Sequence, residues 1–327
     1  MEIKTIKIGD VEIKQTAALA PMASVADRAY RLVCKEHGAA YMVSEMISAK
    51  GLKYGGKSAD LMETAPNERP CGIQLFGRDP DIMAEMARRI CGENKGELAL
   101  IDINMGCPAP KITGNGEGSA LMKEPLTAAR VIEAVVKASA LPVSVKFRKG
   151  WDSGHVNCVE FARIAEASGA AFVTIHGRTR DQMYSGAADW EVIAEAKAAL
   201  SIPVIGNGDV TGGSSAIAMR DYTGCDGIMI ARGALGNPYV FQEVKAAFAG
   251  IPYTPPSNAE RLDLAIAHVR GLVAHKGPHG VIEMRKHIAY YVRGMKGASA
   301  FRTAATLAPT AEALIDLIEE YKDSISE

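Results

Sequence analysis

The chain has 327 residues, which is enough for one large domain and a smaller one with ample core. Its hydrophobic fraction of 48%, charged fraction of 23% and net charge of −1 are those of an ordinary globular protein. This charge excludes a broadly basic protein, so a polyanionic partner would have to meet a local basic patch. No stretch is long and apolar enough to span a membrane, and the start, Met1-Glu2-Ile3-Lys4, lacks the apolar core of a signal peptide. We therefore expect a cytoplasmic protein.

The cysteines and histidines form no recognisable metal or disulfide pattern. Six cysteines are widely scattered without a C-x-x-C pair, which argues against a zinc site, an iron–sulfur cluster or a disulfide framework. The four histidines near the end of the chain have spacings that suit no single helical face, so we expect no metal site. These residues are Cys34, Cys71, Cys91, Cys107, Cys158 and Cys225, and His268, His275, His279 and His287.

Short apolar runs alternate with helical patterns along most of the chain, after a predicted hairpin in which 3–8 and 11–13 flank Gly9-Asp10. The predicted strands are 17–20, 41–44, 72–76, 99–104, 143–147, 172–176, 203–207 and 227–231. The predicted helices include 27–37, 79–90, 127–138, 156–168, 190–200 and 214–220. Eight β–α units over about 240 residues favour an α/β fold, the (β/α)8 TIM barrel. A doubly wound sheet is the alternative, but no G-x-G-x-x-G follows any of these strands.

The last part of the chain predicts a separate helical domain. Residues 250–258 are rich in proline and predict a linker between a barrel, 1–249, and a helical domain, 259–327. Helical patterns cover 259–274, 281–295 and 310–324. Residues 261–302 carry eight lysines and arginines against two acids, a net charge of +6, whereas 303–327 carry one base and six acids.

Polar residues follow the predicted strands at their carboxyl ends, which converge on one face of a barrel. They are Pro21-Met22-Ala23, Ser44-Glu45-Met46, Gln74, Asn104 with Cys107, Lys146, His176, Asn207-Gly208-Asp209 and Ala231-Arg232-Gly233. Each residue alone would equally suit a hydrogen-bonded core position, and Glu45 is better explained as a support for its turn. A lysine in the apolar run 143–147 is costly to bury without an anionic partner.

The last two strand ends suggest which anion that partner is. Gly206-Asn207-Gly208 and Ala231-Arg232-Gly233 offer small residues and an arginine after the seventh and eighth strands, where such barrels bind phosphate. The glycines would also suit plain strand-to-helix turns. With Gln74 and Lys146 further round the mouth, flavin mononucleotide (FMN) fits better than a bare sugar phosphate, because Gln74 can bond the amide edge of the ring and Lys146 can stabilise negative charge on it.

The loop after the fourth barrel strand, Asn104-Met105-Gly106-Cys107-Pro108, predicts a cysteine presented on a rigid turn. A small buried apolar residue is the alternative for Cys107. This loop and five further segments resemble the tRNA-dihydrouridine synthases, and most closely their bacterial B-type branch. The further segments are Ala20-Pro21-Met22-Ala23, Ser44-Glu45-Met46, Gly118-Ser119-Ala120-Leu121, His176-Gly177-Arg178-Thr179-Arg180 and Asn207-Gly208-Asp209. The resemblance covers nearly the whole chain.

The resemblance implies an FMN-bearing barrel with a C-terminal helical domain that reduces particular uridines of tRNA with NADPH. It implies that Pro21, Met22 and Ala23 line the flavin, that Gln74 and Lys146 hold its ring, and that His176, Asn207, Gly208, Asp209, Ala231 and Arg232 surround its phosphate. Cys107 would be the general acid. Ala231 departs from the family's usual glycine, and phosphate binding would be weakened if that position required a positive φ.

The reaction needs a hydride and a proton on the two carbons of a double bond. Our hypothesis is that hydride from N5 of the reduced flavin reaches C6 of uracil while the Cys107 thiol protonates C5 from the opposite face. A thiol with a pKa of about 8.5 is mostly protonated at neutral pH and can serve as an acid. Asn104 is expected to bond the uracil edge.

The target base must leave its stack to reach a barrel mouth, and tRNA would be recognised by shape and phosphates. Helical spacing predicts one RNA-binding face with Arg285, Lys286, Arg293 and Lys296, and with Tyr290 and Tyr291 for stacking. Arg178 and Arg180 are predicted to contact RNA at the pocket rim. A solvated charged face is the alternative, and a monomer is expected.

Three other functions are open. A flavin barrel acting on free pyrimidines, such as a dihydroorotate or dihydropyrimidine dehydrogenase, would not need the basic helices. An RNA-binding or chaperone-like protein without turnover would not need Cys107, Lys146 and Gln74 together. A phosphate-binding isomerase or synthase without flavin is the third. The sequence leaves open which tRNA position is reduced and whether NADPH or NADH is the donor.

Overall fold

The computed structural model describes residues 3–94 and 96–326. Three residues used in the predictions above lie outside the described residues. Met1 and Glu2 belong to the start for which no signal peptide was predicted, and Glu327 was counted in the acidic segment. No helix in the described part of the chain has both the length and the apolar character needed to cross a bilayer.

Eight parallel strands close into a barrel in the order β10-β3-β4-β5-β6-β7-β8-β9. They are β3 (Ala17–Leu19), β4 (Met42–Ser48), β5 (Cys71–Phe76), β6 (Leu98–Met105), β7 (Val143–Arg148), β8 (Phe172–His176), β9 (Val204–Asn207) and β10 (Gly227–Ile230). Most of their residues are buried because both faces of a barrel strand are covered, which is why they read as continuous apolar runs. The prediction of a (β/α)8 TIM barrel is confirmed.

The predicted hairpin covers one end of this barrel. It consists of β1 (Thr5–Ile8) and β2 (Val11–Lys14), whose alternate residues Ile6, Ile8, Val11 and Ile13 are buried. These side chains pack in one cluster with Leu100 and Phe172, which lie near the starts of their strands. The amino-terminal end of the barrel is therefore filled largely by apolar side chains.

Helices surround the barrel and continue beyond it. The helices of the barrel are α1 (Arg28–Glu36), α2 (Ala49–Lys53), α3 (Pro80–Glu93), α4 (Pro110–Thr113), α5 (Pro125–Ala138), α6 (Cys158–Ala167), α7 (Glu191–Ala199), α8 (Gly213–Thr223) and α9 (Val240–Ala249). They are followed by α10 (Asn258–Lys276), α11 (His279–Tyr291), α12 (Ala298–Leu307) and α13 (Ala311–Ser326). Helix α12 lies outside the predicted set; it is a helix of ten residues whose buried residues are Phe301 and Ala305. A capping box between Ser257 and Glu260 starts α10 directly after the proline-rich segment.

The helices α10–α13, here called the helical segment, are anchored beside α1 and the loop after β10. Their core includes Ala29 and Val33 of α1. Tyr30 of α1 packs against the rings of His268 and His287, with centroid distances of 5.2 and 5.4 Å. The helical segment therefore sits at one side of the barrel, next to β10 and β3.

Candidate active site

The register of the barrel aligns polar residues at three levels near the carboxyl ends of the strands. Since paired positions in neighbouring strands lie side by side, their side chains point to the same face of the sheet and are adjacent to one another. The aligned positions are Gln74–Asp102–Ser144 at the first level, Asn104–Lys146 at the second and Arg148–His176–Asn207 at the third.

Cys107 is held by hydrogen bonds to its backbone on both sides. After β6 ends, the Oδ1 of Asn104 accepts hydrogen bonds from the amides of Gly106 at 3.1 Å and Cys107 at 2.9 Å. The carbonyl oxygen of Cys107 accepts from the amide of Ser119 at 3.1 Å and from its hydroxyl at 2.9 Å. The thiol is half-buried, so a substrate in the mouth can reach it.

The environment of Cys107 suits a proton donor. Burial raises the pKa of its thiol, while the Ala109 amide and the charges of Arg148 and Lys146 act in the opposite direction. The net effect is a raised pKa, which keeps the thiol protonated at neutral pH. If the thiol gave up its proton, the same two cations would stabilise the thiolate.

A buried chain of hydrogen bonds runs below Cys107. Gln74 donates from Nε2 to Asp102 at 2.6 Å, and Asn104 donates from Nδ2 to Oε1 of Gln74 at 2.7 Å. The hydroxyl of Ser144 donates to the other oxygen of Asp102. Burial raises the pKa of Asp102 to about 6, against the opposing effect of its hydrogen bonds and of Lys146. This chain fixes the orientation of both amide side chains, and through Asn104 it fixes the Cys107 loop.

Two predicted contacts are constrained by this chain. Gln74 has no exposed surface, so it could touch a flavin ring only if neighbouring side chains moved. The Oδ1 of Asn104 already accepts from the loop amides, and its Nδ2 already donates to Gln74. Its geometry therefore favours positioning of Cys107 over the predicted bond to the uracil edge.

Lys146 is the cation expected from the sequence, and it is half-buried. Its ammonium donates to Oδ1 of Asn207 at 3.1 Å, and Asn207 is oriented because its Nδ2 donates to the carbonyl of Met229 at 2.7 Å. Burial, with the nearby charge of Arg148, lowers the pKa of Lys146 to about 8. Among the described residues it forms no salt bridge, so its positive charge is available for a ligand.

Arg148, which the sequence analysis did not single out, connects two loops of the mouth. It donates from Nε to the carbonyl of Gly106 at 2.9 Å, and from Nη1 to the carbonyls of Thr179 at 2.8 Å and Met183 at 3.0 Å. Burial lowers its pKa to about 10. It forms no salt bridge with any described residue.

His176 is neutral in this environment. Burial, with the charges of Lys146, Arg148 and Arg178, lowers its pKa to about 2. Its Nδ1 lies 3.1 Å from the carbonyl oxygen of Asn207 and must therefore carry the proton. The other ring nitrogen is left as an acceptor, which suits a hydroxyl of a ligand better than a phosphate oxygen.

Asp209 orients two arginines. Arg178 donates from Nη2 to both oxygens of Asp209 at 2.8 Å, and Nη2 of Arg232 lies 3.5 Å from Oδ1. Burial acts to raise the pKa of Asp209, but the Ala188 amide and these two arginines outweigh it and hold the pKa below its usual value. The carboxylate therefore faces the arginines, and a direct contact with a phosphate, as predicted for Asp209, is unfavourable.

The remaining predicted flavin residues lie on turns at the mouth. Pro21 and Met22 are half-buried and Ala23 is exposed, directly after β3. Gly208 has a φ of +131°, and a Cβ there would lie 2.6 Å from Ala188. Ala231 has a φ of −107°, so the alanine that departs from the family pattern causes no left-handed strain. Glu45 accepts from the Ser24 amide, which is the supporting contact expected for it.

These residues fit an anionic phosphate-bearing cofactor. Four cations, Lys146, Arg148, Arg178 and Arg232, lie near two carboxylates, those of Asp209 and Asp102. The Nη1 of Arg178 is buried without a hydrogen-bond partner. An anion would supply the missing charge and acceptor. No group of three or more His, Cys, Asp or Glu side chains within 3–94 and 96–326 is arranged to hold a metal ion.

The predicted RNA-binding face is only partly assembled. Tyr291 is fully buried with its hydroxyl 3.2 Å from Nδ1 of His268, so the prediction that it stacks on bases is wrong. Arg285 is half-buried and donates to the carbonyl of Ala308 at 3.1 Å. Helix α11 ends at Tyr291, so Arg293 and Lys296, which are exposed, lie beyond it and do not share its face.

The three other predicted RNA contacts differ in exposure. Arg178 is only 2% exposed, so the prediction that it lies at the rim is wrong; its burial follows from the pair with Asp209. Arg180 is half-buried, with its guanidinium over the ring of Trp151. Lys286 is half-buried and close enough to Glu45 to act on its carboxyl, which places it toward the barrel.

Comparisons with known proteins show the family of this chain. The family model described as Dihydrouridine synthase (Dus) matches residues 18–326. The "Probable tRNA-dihydrouridine synthase" of Rickettsia conorii is 40% identical over 98% of this chain and 98% of its own length. The "tRNA-dihydrouridine synthase B" of Xanthomonas campestris pv. campestris is 41% identical over 98% of this chain and 96% of its own.

A third relative and a solved structure extend these findings. The "Probable tRNA-dihydrouridine synthase 1" of Synechocystis sp. is 40% identical over 91% of this chain and 84% of its own length. The structure of a variant of NCR from Zymomonas mobilis covers 78% of this chain and 93% of its own, with a TM-score of 0.54 and 16% identity, which supports the fold alone. The family match and the near-complete relatives together show that the chain belongs to the dihydrouridine synthase family.

Proposed function

We propose that this protein reduces the C5–C6 double bond of particular uridines in tRNA to 5,6-dihydrouridine, with FMN as cofactor and NADPH as electron donor. The single observation that carries the proposal is the placement of Cys107. Its protonated thiol is fixed at the mouth of a barrel beside two cations that lack carboxylate partners, Lys146 and Arg148. Family membership supplies the substrate class.

The cofactor would be held by the cationic side of the mouth. Arg178 and Arg232, oriented by Asp209, would face the phosphate, and Lys146 and Asn207 would lie beside the ring. His176 would accept a hydrogen bond from a ribityl hydroxyl through its free nitrogen. When bound, FMN supplies the hydride that the reduction needs.

The chain itself supplies the proton. The Sγ–H bond of Cys107 breaks as a C–H bond forms at C5 of the uracil, and the electron pair stays on sulfur. Lys146 and Arg148 stabilise this thiolate, which regains a proton from solvent before the next turnover. Asn104 keeps the thiol in place through the loop amides, and the half-burial of Cys107 limits access of water.

The RNA would approach with one uridine turned out of its stack into the mouth. Lys286 lies on the side of the helical segment that faces the barrel, and Arg293 is exposed beyond α11. We propose that both contact phosphates, whereas Arg285 supports the helical segment through Ala308.

The proposal is tested by reducing the purified protein anaerobically with NADPH and following flavin absorbance. Rapid reoxidation on addition of tRNA that lacks dihydrouridine, with dihydrouridine formed in the RNA, is the expected result. Reoxidation by uracil or orotate but not by tRNA would instead assign the protein to free pyrimidines. Failure to bind FMN even after reconstitution would contradict the assignment of the cationic side of the mouth.

A further inference from the structure

Two cations share one aromatic ring on the rim of the barrel mouth. The Nζ of Lys123 lies 4.1 Å from the centroid of the Trp151 ring, and the guanidinium carbon of Arg180 lies 4.5 Å from it. Lys123 ends a 3-10 helix, Gly118–Lys123, between β6 and β7, while Trp151 follows β7 and Arg180 follows β8. We call these three residues the rim cluster. A cation over an indole ring is held in place without losing its charge.

The charges of the rim cluster are not neutralised by the protein. Neither Lys123 nor Arg180 forms a salt bridge within the part of the chain that the structure describes, and the Nε of Arg180 is buried without an acceptor. The three acids that directly follow these residues in the chain have other partners. Glu124 accepts from Nη2 of Arg78 at 2.9 Å. Asp152 accepts from His155 and from the Gly154 amide, and Asp181 accepts from the Thr179 hydroxyl. The cluster therefore presents two fixed cations that lack a counter-anion.

The rim cluster lies across the mouth from the helical segment. That segment packs on α1, which follows β3, and closely approaches Gly236, which follows β10. The closed strand order places β7 four strands from β3 in one direction and three strands from β10 in the other. A nucleic acid that enters the mouth from the side of the helical segment would reach the rim cluster on the far side.

The rim cluster is also connected to the catalytic loop. Ser119, in the 3-10 helix that ends at Lys123, donates both its amide and its hydroxyl to the carbonyl of Cys107. The 3-10 helix Gly118–Lys123 would thus position both a ligand bound at Lys123 and the thiol of Cys107.

We propose that the rim cluster binds the phosphate backbone of the RNA beside the target uridine, as a second contact opposite the helical segment. This inference rests on the proposed function. A base that is turned into the mouth brings its own backbone to the rim, and phosphates are the anions that fixed cations there would meet. The indole ring serves as the support that keeps the two cations at a set position.

The test measures binding of unmodified tRNA by fluorescence anisotropy over a range of salt concentrations. Replacing both cations (Lys123→Met with Arg180→Met) should weaken binding and lower the slope of log Kd against log salt by roughly one for each cation. Trp151→Leu keeps both charges and should weaken binding by only about two- to fivefold with the slope retained. The matched control is Arg220→Met, since Arg220 lies 4.6 Å from the Phe248 ring on the outer helices and should not affect binding.

The possible outcomes distinguish a failure of the rim-cluster proposal from a failure of the proposed function. If the double variant retains its flavin spectrum and thermal midpoint but binds tRNA with unchanged affinity and slope, the rim cluster is not an RNA site, while the proposed function stands. If the wild-type protein binds no tRNA, both the proposed function and this inference fail. If the double variant loses binding only to an acidic polypeptide such as polyglutamate, the cluster serves a protein partner and the inference is overturned. Lys123→Met alone, at an exposed position, retains a testable readout should the double variant not fold.

Discussion

Arg148 donates a hydrogen bond to the carbonyl oxygen of Gly106, the residue before Cys107, the proposed proton donor, at 2.9 Å. The same guanidinium reaches the carbonyls of Thr179 and Met183 in the loop after β8. Arg148 therefore fixes the position of the Cys107 loop relative to the loop after β8. Its charge also favours the thiolate form of Cys107.

Removal of Arg148 should affect both geometry and acidity. We expect Arg148→Met to raise the pKa of the Cys107 thiol and to lower turnover by at least about tenfold, because the thiolate loses a stabilising charge. Arg148→Lys keeps the charge but not the planar fork, so it should restore the thiol's acidity while turnover stays low. The rate of Cys107 alkylation against pH, followed by mass spectrometry of its peptide, reports acidity independently of turnover. The half-buried Cys91 serves as internal control, and an unchanged Cys107 profile in Arg148→Met would contradict the electrostatic role.

Replacement of Cys107 should separate chemistry from binding. Cys107→Ala should keep FMN and tRNA affinity while turnover falls by about 10²–10⁴, the usual contribution of a positioned acid. In the wild-type protein, turnover should decline as pH rises through the raised pKa of the thiol, since the protonated form is the active one. Single-turnover reoxidation of the reduced flavin by tRNA measures both effects. Cys91→Ala is the matched control, and near wild-type turnover of Cys107→Ala would remove Cys107 from the mechanism.

The buried chain of hydrogen bonds that joins Ser144, Asp102, Gln74 and Asn104 predicts a second pH dependence of turnover. Asp102, with a pKa of about 6, is ionised at neutral pH and accepts from Gln74 and Ser144. Below about pH 6 it gains a proton, one acceptor position is lost, and the orientation of Gln74 and Asn104 is weakened. We therefore expect turnover to fall in weak acid and Asp102→Asn to show the lowered rate at all pH values. Turnover profiles and FMN affinity test this, with Ser144→Ala as the milder control; a wild-type profile for Asp102→Asn would contradict it.

The sequence predicts the barrel well because its signals are local. Each buried parallel strand is a continuous apolar run, and the predicted segment 172–176 coincides with β8. The residues at the strand ends follow from the same pattern, because the fold brings carboxyl ends together. Arg148 also had a usable signal, since it stands two residues after Lys146 and thus on the same face of the strand.

Other features depend on distant contacts and have no local signal. Whether Arg178 is exposed is decided by Asp209, which is 31 positions away and is brought near by the parallel pairing of β8 with β9. The burial of Tyr291, in contrast, did have a local signal, because Met284, His287, Ile288 and Tyr291 recur at the spacing of one helical face. The pairing of Asp102 with Gln74 and Ser144 required the strand register, which the sequence does not specify.

Acid should destabilise the protein through its buried histidines. Burial lowers the pKa of His268 and of His287 to about 3, from an ordinary value of 6.5. Between these two pH values the histidines are protonated in the unfolded chain but neutral in the folded protein. The free energy of unfolding should therefore fall as pH drops below about 6.5, by about 1.4 kcal/mol per pH unit for each such histidine. His287→Phe keeps the ring packing with Tyr30 and removes a buried nitrogen that lacks a partner, so it should be tolerated at pH 7 and should lessen the acid slope by that amount. Urea unfolding at several pH values measures the slope, with His279→Gln at an exposed position as control. An acid slope equal to that of the wild-type protein in His287→Phe would show that His287 does not contribute.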